Sequence, residues 1–179
     1  MNETILSVVC QGPCLWLGDH LDFCRRPVIL ENPSFSPLWT WRPENAEWIY
    51  LIKVMGFTLA YVPSSDTVYF VNPAFSLKNS CPANTVIVCQ CTRDPNSAPR
   101  LLAVDLLCVG GKSTSDLEPP ERYAKLQGLA QHFVEPNCSV QWCGDRNALT
   151  EDFLKTLPHK TIARVGIGIT PGDFILEDV

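Results

Sequence analysis

The chain has 179 residues, of which 46% are hydrophobic and 18% charged. That composition can bury a normal core in one domain, or one domain with a small appendage, and it excludes a disordered chain. The formal net charge of −5 argues against tracking along a long polyanion, which relies on many Lys and Arg contacts, but leaves room for a local pocket that takes one nucleotide or an RNA end.

The opening MNETILSVVC lacks the basic start and long apolar centre of a secretory signal. No run reaches the ~20 apolar residues of a membrane span. The expectation is an intracellular protein, cytoplasmic and/or nuclear, with no membrane contact. Its nine cysteines then read as reduced, buried thiols rather than a disulfide framework. His20 and Cys24 are four residues apart, with Cys10 and Cys14 nearby and His132 and His159 far off. Zinc sites favour paired short spacings, which this set lacks, so no metal and no cofactor are expected. Residues 1–26 read as an N-terminal extension packed on a core domain of residues 27–179.

Residues 25–45 contain Pro27, Pro33, Pro37 and Pro43. Proline fixes φ and removes a donor, so the stretch reads as an extended arm. It carries Trp39 and Trp41, with Trp48 just beyond. These rings either cover an edge of the core or offer a face on which a base stacks. Residues 48–62, WIYLIKVMGFTLAYV, read as two strands joined at Gly56, where positive φ is permitted. Lys53 is the one charge between Glu47 and Asp66. It either lays its methylenes on apolar surface with the ammonium in water, or aims into a pocket.

Short strands follow at 67–71 and 85–91, with turns at 63–66 and 79–84 and a hairpin loop at 92–100. Residues 101–109, LLAVDLLCV, form an apolar run with the single acid Asp105. Such runs are buried on both faces, and a buried carboxylate needs partners. Gly110-Gly111-Lys112-Ser113 looks like the end of a phosphate loop, but Leu106 occupies the place of the first glycine, so a tight turn is the better reading. Residues 119–133 carry the clearest helical pattern, opened by prolines, and a second helix follows Thr150. Strands are expected at 140–142, 161–170 and 174–176.

The order of these pieces resembles the covalent nucleotidyltransferases, the mRNA capping guanylyltransferases and ATP-dependent ligases. Lys53-Val54-Met55-Gly56 stands where that family has Lys-x-Asp-Gly. Cys89-Gln90-Cys91 stands near its Asp-Gly-Glu motif. The 101–109 run, then Gly110-Gly111-Lys112 and Glu121-Arg122-Tyr123, is the best match. Val165-Gly166-Ile167-Gly168-Ile169-Thr170-Pro171 resembles the next motif. The resemblance spans roughly residues 27–171. It implies an α+β fold of bent antiparallel sheets with packed helices, nucleotidyltransferase-domain-like (ATP-grasp-like adenylation or guanylylation domain), without an OB-fold.

Met55, Gln90 or Cys91, and Val165 replace the family's metal-holding acids. Magnesium needs hard oxygen ligands, so the resemblance implies a pseudoenzyme, similar in kind to the cap-binding domain of the snurportin family. The leading expectation is a non-catalytic module for a nucleotide or a capped RNA 5′ end. Lys53 and Gly56 would meet phosphate and one of Trp39, Trp41 or Trp48 would stack on the base, with Asp105 and Arg122 structural. The alternatives are a protein-interaction scaffold whose pocket is filled by Met55, and a residual guanylyltransferase using Asp66, Asp94 or Asp105.

Overall fold

The computed structural model describes residues 3–14, 38–42, 46–92, 98–156, 161–165 and 175–178. His20, Cys24, Asp94 and residues 166–171 lie outside this set.

A short helix α1 (Glu3–Val9) leads into β1 (Cys10–Pro13). Then come β2 (Leu38–Arg42), β3 (Glu47–Val54), β4 (Phe57–Val62), β5 (Thr67–Val71), β6 (Thr85–Thr92), β7 (Arg100–Val109) and β8 (Lys112–Ser113). Helix α2 (Pro119–Leu129), β9 (Cys138–Val140), helix α3 (Glu151–Thr156), β10 (Thr161–Val165) and β11 (Ile175–Asp178) complete the described elements. The main sheet runs β1-β5-β4-β3-β6-β7-β8, with β9 added parallel to the free half of β7. A second sheet runs β11-β10-β2.

The sequence of the central strands explains the burial of both faces. Val, Ile, Leu and Tyr occupy consecutive positions of β3 and β6, so each face of the pleat receives apolar side chains. On one face Ile49, Leu51, Ile87 and Cys89 pack with Leu6 and Val9 of α1, Phe75, Leu126 and Phe133. We call this the helix face. On the other, Tyr50, Ile52, Tyr61, Val86, Val88 and Val104 form a second cluster. The β7–β8 connection has Gly110 at φ 58 and Gly111 at φ 84. Two successive positive φ values define the tight hairpin turn that glycines supply. The Gly111 N–H donates to Asn84 O at 2.9 Å and the Gly110 N–H to Thr85 Oγ1 at 3.3 Å. These donors are spent inside the chain, so the turn is no phosphate cradle.

The expected helix-packed α+β class, and with it the nucleotidyltransferase-like domain, is corrected by this architecture. The described chain is mostly antiparallel β, dominated by the large sheet, and its helices are short and few. The 119–133 pattern gives only Pro119–Leu129 as α-helix before tightening to a 3₁₀ turn at Ala130–His132. One such helix covers part of one face and builds no layer. The residues read as an extended arm at Trp39 and Trp41 instead form β2, a strand of the second sheet. Strand β9 lies two residues earlier than expected. Helix α1 went unread, because its seven residues carry no capping or periodic signal long enough to register.

Eight of the nine cysteines are described, and all eight are buried. Burial pushes Cys10 up to about 11. It pushes Cys91 and Cys143 up to about 12. These folded values exceed the ordinary 9.0. The stability they contribute is therefore complete below the unfolded pKa and is lost as pH rises through the folded values. The melting temperature should hold from about pH 7 to pH 8.5 and fall steadily above about pH 9. A melting temperature unchanged to about pH 11, read by circular dichroism, would mean that the thiols are not buried in solution.

Candidate functional site

Strand alternation sorts the candidate residues before any distance is considered. Strand β3 pairs regularly with β6 from Glu47↔Cys91 to Lys53↔Thr85. Odd-numbered positions of β3 therefore share the helix face and even-numbered positions share the other. Lys53 falls on the helix face and Trp48 on the opposite one, five residues or roughly 16 Å apart along the strand. One nucleotide cannot touch both through the sheet.

Lys53 is only 2% exposed. Its strand neighbours are Thr85 and Thr58, whose hydroxyl oxygens already accept the N–H groups of Gly110 and Leu77. Its charge also acts on the Cys81 thiol. Burial raises that thiol, while a hydrogen bond from Thr85 and the Lys53 ammonium oppose the rise. Gly56 has φ 89, and a Cβ there would meet nothing within 4 Å. Its role is the turn itself. Met55 beside it is 88% exposed, so it fills no pocket.

The other face carries a buried polar network at the seam between the two sheets. Gln90 sits directly across from Trp48 in the β3–β6 ladder and is fully buried, while Trp48 is half-buried. The Gln90 Nε2 donates to Trp41 O and to Gln141 Oε1, both at 3.2 Å. The Gln141 Nε2 donates to Trp41 O and to Thr40 Oγ1, both at 2.6 Å. The Thr40 hydroxyl in turn donates to Trp142 O at 2.6 Å. Every donor of this chain of bonds ends on an acceptor, which fixes the orientation of both amides. Gln90 Oε1 receives no hydrogen bond, and neither does Thr92 Oγ1 two residues along the same strand. An unmet buried acceptor costs about 1–3 kcal/mol.

Backbone contacts hold this seam shut. Residues after β9 continue along β7, with the Gln141 N–H on Ala103 O at 2.8 Å, and then cross to β2. There Trp39 and Gly144 exchange two backbone bonds of 2.8 and 2.9 Å. A Cβ at Gly144 would collide with the Trp142 indole, so only glycine allows this approach. Trp39 is buried at this bridge and presents no open face, while Trp41 is half-buried and contributes its carbonyl.

Asp105 and Arg122 lie apart from both places. The Arg122 Nε donates to Asp105 Oδ1 at 3.0 Å, its Nη1 to Leu117 O, and the Leu106 N–H also donates to Asp105 Oδ1. Asp66 accepts the Tyr61 hydroxyl at 2.7 Å in the β4–β5 turn. Among the described residues no group of three or more His, Cys, Asp or Glu is placed to hold a metal ion. Gln141, Thr40 and Thr92 escaped the sequence reading. The available signal was Gln90 itself, the one amide in the apolar strand TVIVCQC.

No protein-family model matches the chain, and no curated protein does.

The Asp105–Arg122 pair is nearly sealed, at 12% and 4% side-chain exposure. Removing one partner leaves the other charge buried, so Asp105→Ala should cost on the order of 3–5 kcal/mol in urea unfolding. A loss below about 0.5 kcal/mol would show that water replaces the pair freely.

Proposed function

We propose that this chain is a non-catalytic binding module for a nucleotide or an RNA 5′ end, cap included. The observation that carries the reading is the pairing of Trp48 with Gln90 across β3 and β6. The half-buried indole of Trp48 is the kind of surface on which a base stacks, and the buried Gln90 carboxamide lies across the ladder from it. Lys53, on the opposite face, is left outside this site.

A second reading, a protein-interaction scaffold, is favoured by one feature. Phe57 and Phe70 are each 40% exposed with ring centroids 5.8 Å apart, and Met55, in the turn before Phe57, is 88% exposed. This is an outward apolar patch, not a filled pocket.

Titration with GTP, ATP, cap analogues and short capped RNAs tests the first reading. Ligand should quench tryptophan fluorescence, and Trp48→Ala should lose ~1–3 kcal/mol of binding, roughly 5- to 150-fold. Affinity should fall only gently with salt, since few phosphates are touched. If no ligand shifts fluorescence or stability at millimolar concentration, the scaffold reading takes over. Labelled GTP or ATP with magnesium or manganese should leave no labelled band on a denaturing gel. A band that Lys53→Ala abolishes would defeat the non-catalytic assignment.

A further inference from the structure

We infer that Ser80 and His132 form a serine nucleophile and its base, which take the acyl group of a small activated ester. The Ser80 Oγ lies 2.8 Å from His132 Nδ1, within the reach that proton transfer needs. The two residues come from different segments, and each is fixed by a core residue beside it. Cys81 follows Ser80 and Phe133 follows His132, and both are buried in the helix-face cluster. Backbone bonds join the segments. The Lys78 N–H donates to His132 O at 2.8 Å, and the Cys81 N–H closes the turn on Lys78 O at 2.9 Å. Ser80 is exposed and His132 half-buried, so the pair is open to solvent. It lies on the helix-face side of the main sheet, away from Trp48, and stands independently of the nucleotide reading.

With the ring proton on Nε2, His132 Nδ1 accepts the proton of the Ser80 hydroxyl. As it does so, Oγ bonds to the ester carbonyl carbon, and the carbonyl oxygen becomes an oxyanion. The N–H groups of Asn79 and Ser80 have no acceptor among the described residues, and both residues are exposed in the turn, so these donors are unspent. When the oxyanion collapses, the carbon–oxygen bond to the leaving alcohol breaks, and the proton on Nδ1 goes to the departing oxygen. Water then attacks acyl-Ser80, passes one proton through the same nitrogen back to Oγ, and releases the carboxylic acid with the serine restored. The imidazolium formed on the way sits in the last turn of a helical run, Pro119–Leu129 and Ala130–His132, the end that carries partial negative charge. An open turn selects by reactivity rather than by shape, which is why the substrate class is small activated esters.

Incubation of the full chain with para-nitrophenyl acetate, followed by acid quench and peptide mass spectrometry, tests this. The acetyl group should be found on Ser80. His132→Ala should slow acetylation of Ser80 on the order of a hundredfold, the usual yield of a positioned base. Its melting temperature should match wild type, since the ring lies at the surface. A control that needs no variant is wild type unfolded in urea, where the pair is separated and the Ser80 label should be lost. Acetyl on His132 or on lysines with Ser80 unmodified would overturn the inference. So would a Ser80 label that forms as fast in His132→Ala or in urea, which would make the contact an ordinary surface hydrogen bond. None of these readouts depends on nucleotide binding, so this inference and the nucleotide reading fail separately.

Discussion

The two sheets are joined by a buried chain of amides, and that chain tolerates very little change. Gln90, Gln141, Thr40 and the carbonyls of Trp41 and Trp142 exchange five hydrogen bonds in a largely buried region. A buried polar group costs free energy unless it is paired, so each member depends on the others. Backbone geometry depends on them in turn. Strand β2 must present the Trp41 carbonyl to both carboxamides, and the Gly144 approach sets the position of β2. The second sheet is thereby placed by directed bonds, whereas apolar packing alone would leave it free to slide.

The main sheet answers a different constraint. Antiparallel sheets often face water on one side, yet β3 and β6 are apolar on both faces and must be covered twice. Helices α1 and α2 supply part of the cover on one face only. Charged groups inside such a structure survive by pairing or by reaching out. Asp105 and Arg122 take the first course, with the guanidinium also holding Leu117 O. Lys53 is 2% exposed on the helix face between Thr58 and Thr85, and the buried polar atoms without a hydrogen-bond partner among the described residues are those of Tyr50, Gln90 and Thr92.

Local signals in the sequence were strong where one residue type dictates geometry. Gly56 and the Gly110–Gly111 pair mark turns because glycine takes positive φ without a Cβ clash. A lone acid in an apolar strand needs a cation, and the arginine on the following helix was the near candidate. The class of the fold was less legible. Prolines near Trp39 and Trp41 suggested an arm, but a strand whose partners lie more than a hundred residues later leaves no local trace. The contribution of the helices was overestimated because a periodic pattern says nothing about how much of a sheet it can cover. The polar seam was invisible for a similar reason. Gln90 and Gln141 meet through tertiary structure alone, 51 residues apart.

The parity of a strand explains why motif reading and geometry part company at the site. A lysine and a tryptophan five positions apart look like neighbours in the sequence, but an odd separation sends them to opposite faces. The residues that share a face with Trp48 are Gln90 and Thr92, at a position where the resemblance draws attention only to a missing acid. The geometry gives that absence a positive cause. A carboxylate at position 90 would face Trp41 O and Gln141 Oε1, neither of which has a proton to offer. The Gln141 amide nitrogen is already committed to Thr40 and Trp41. An ionised oxygen among those carbonyls would be buried, unpaired and repelled. Glutamine is therefore required here by the second sheet's own carbonyls, and the acceptor left without a donor, Gln90 Oε1, is the cost of that requirement.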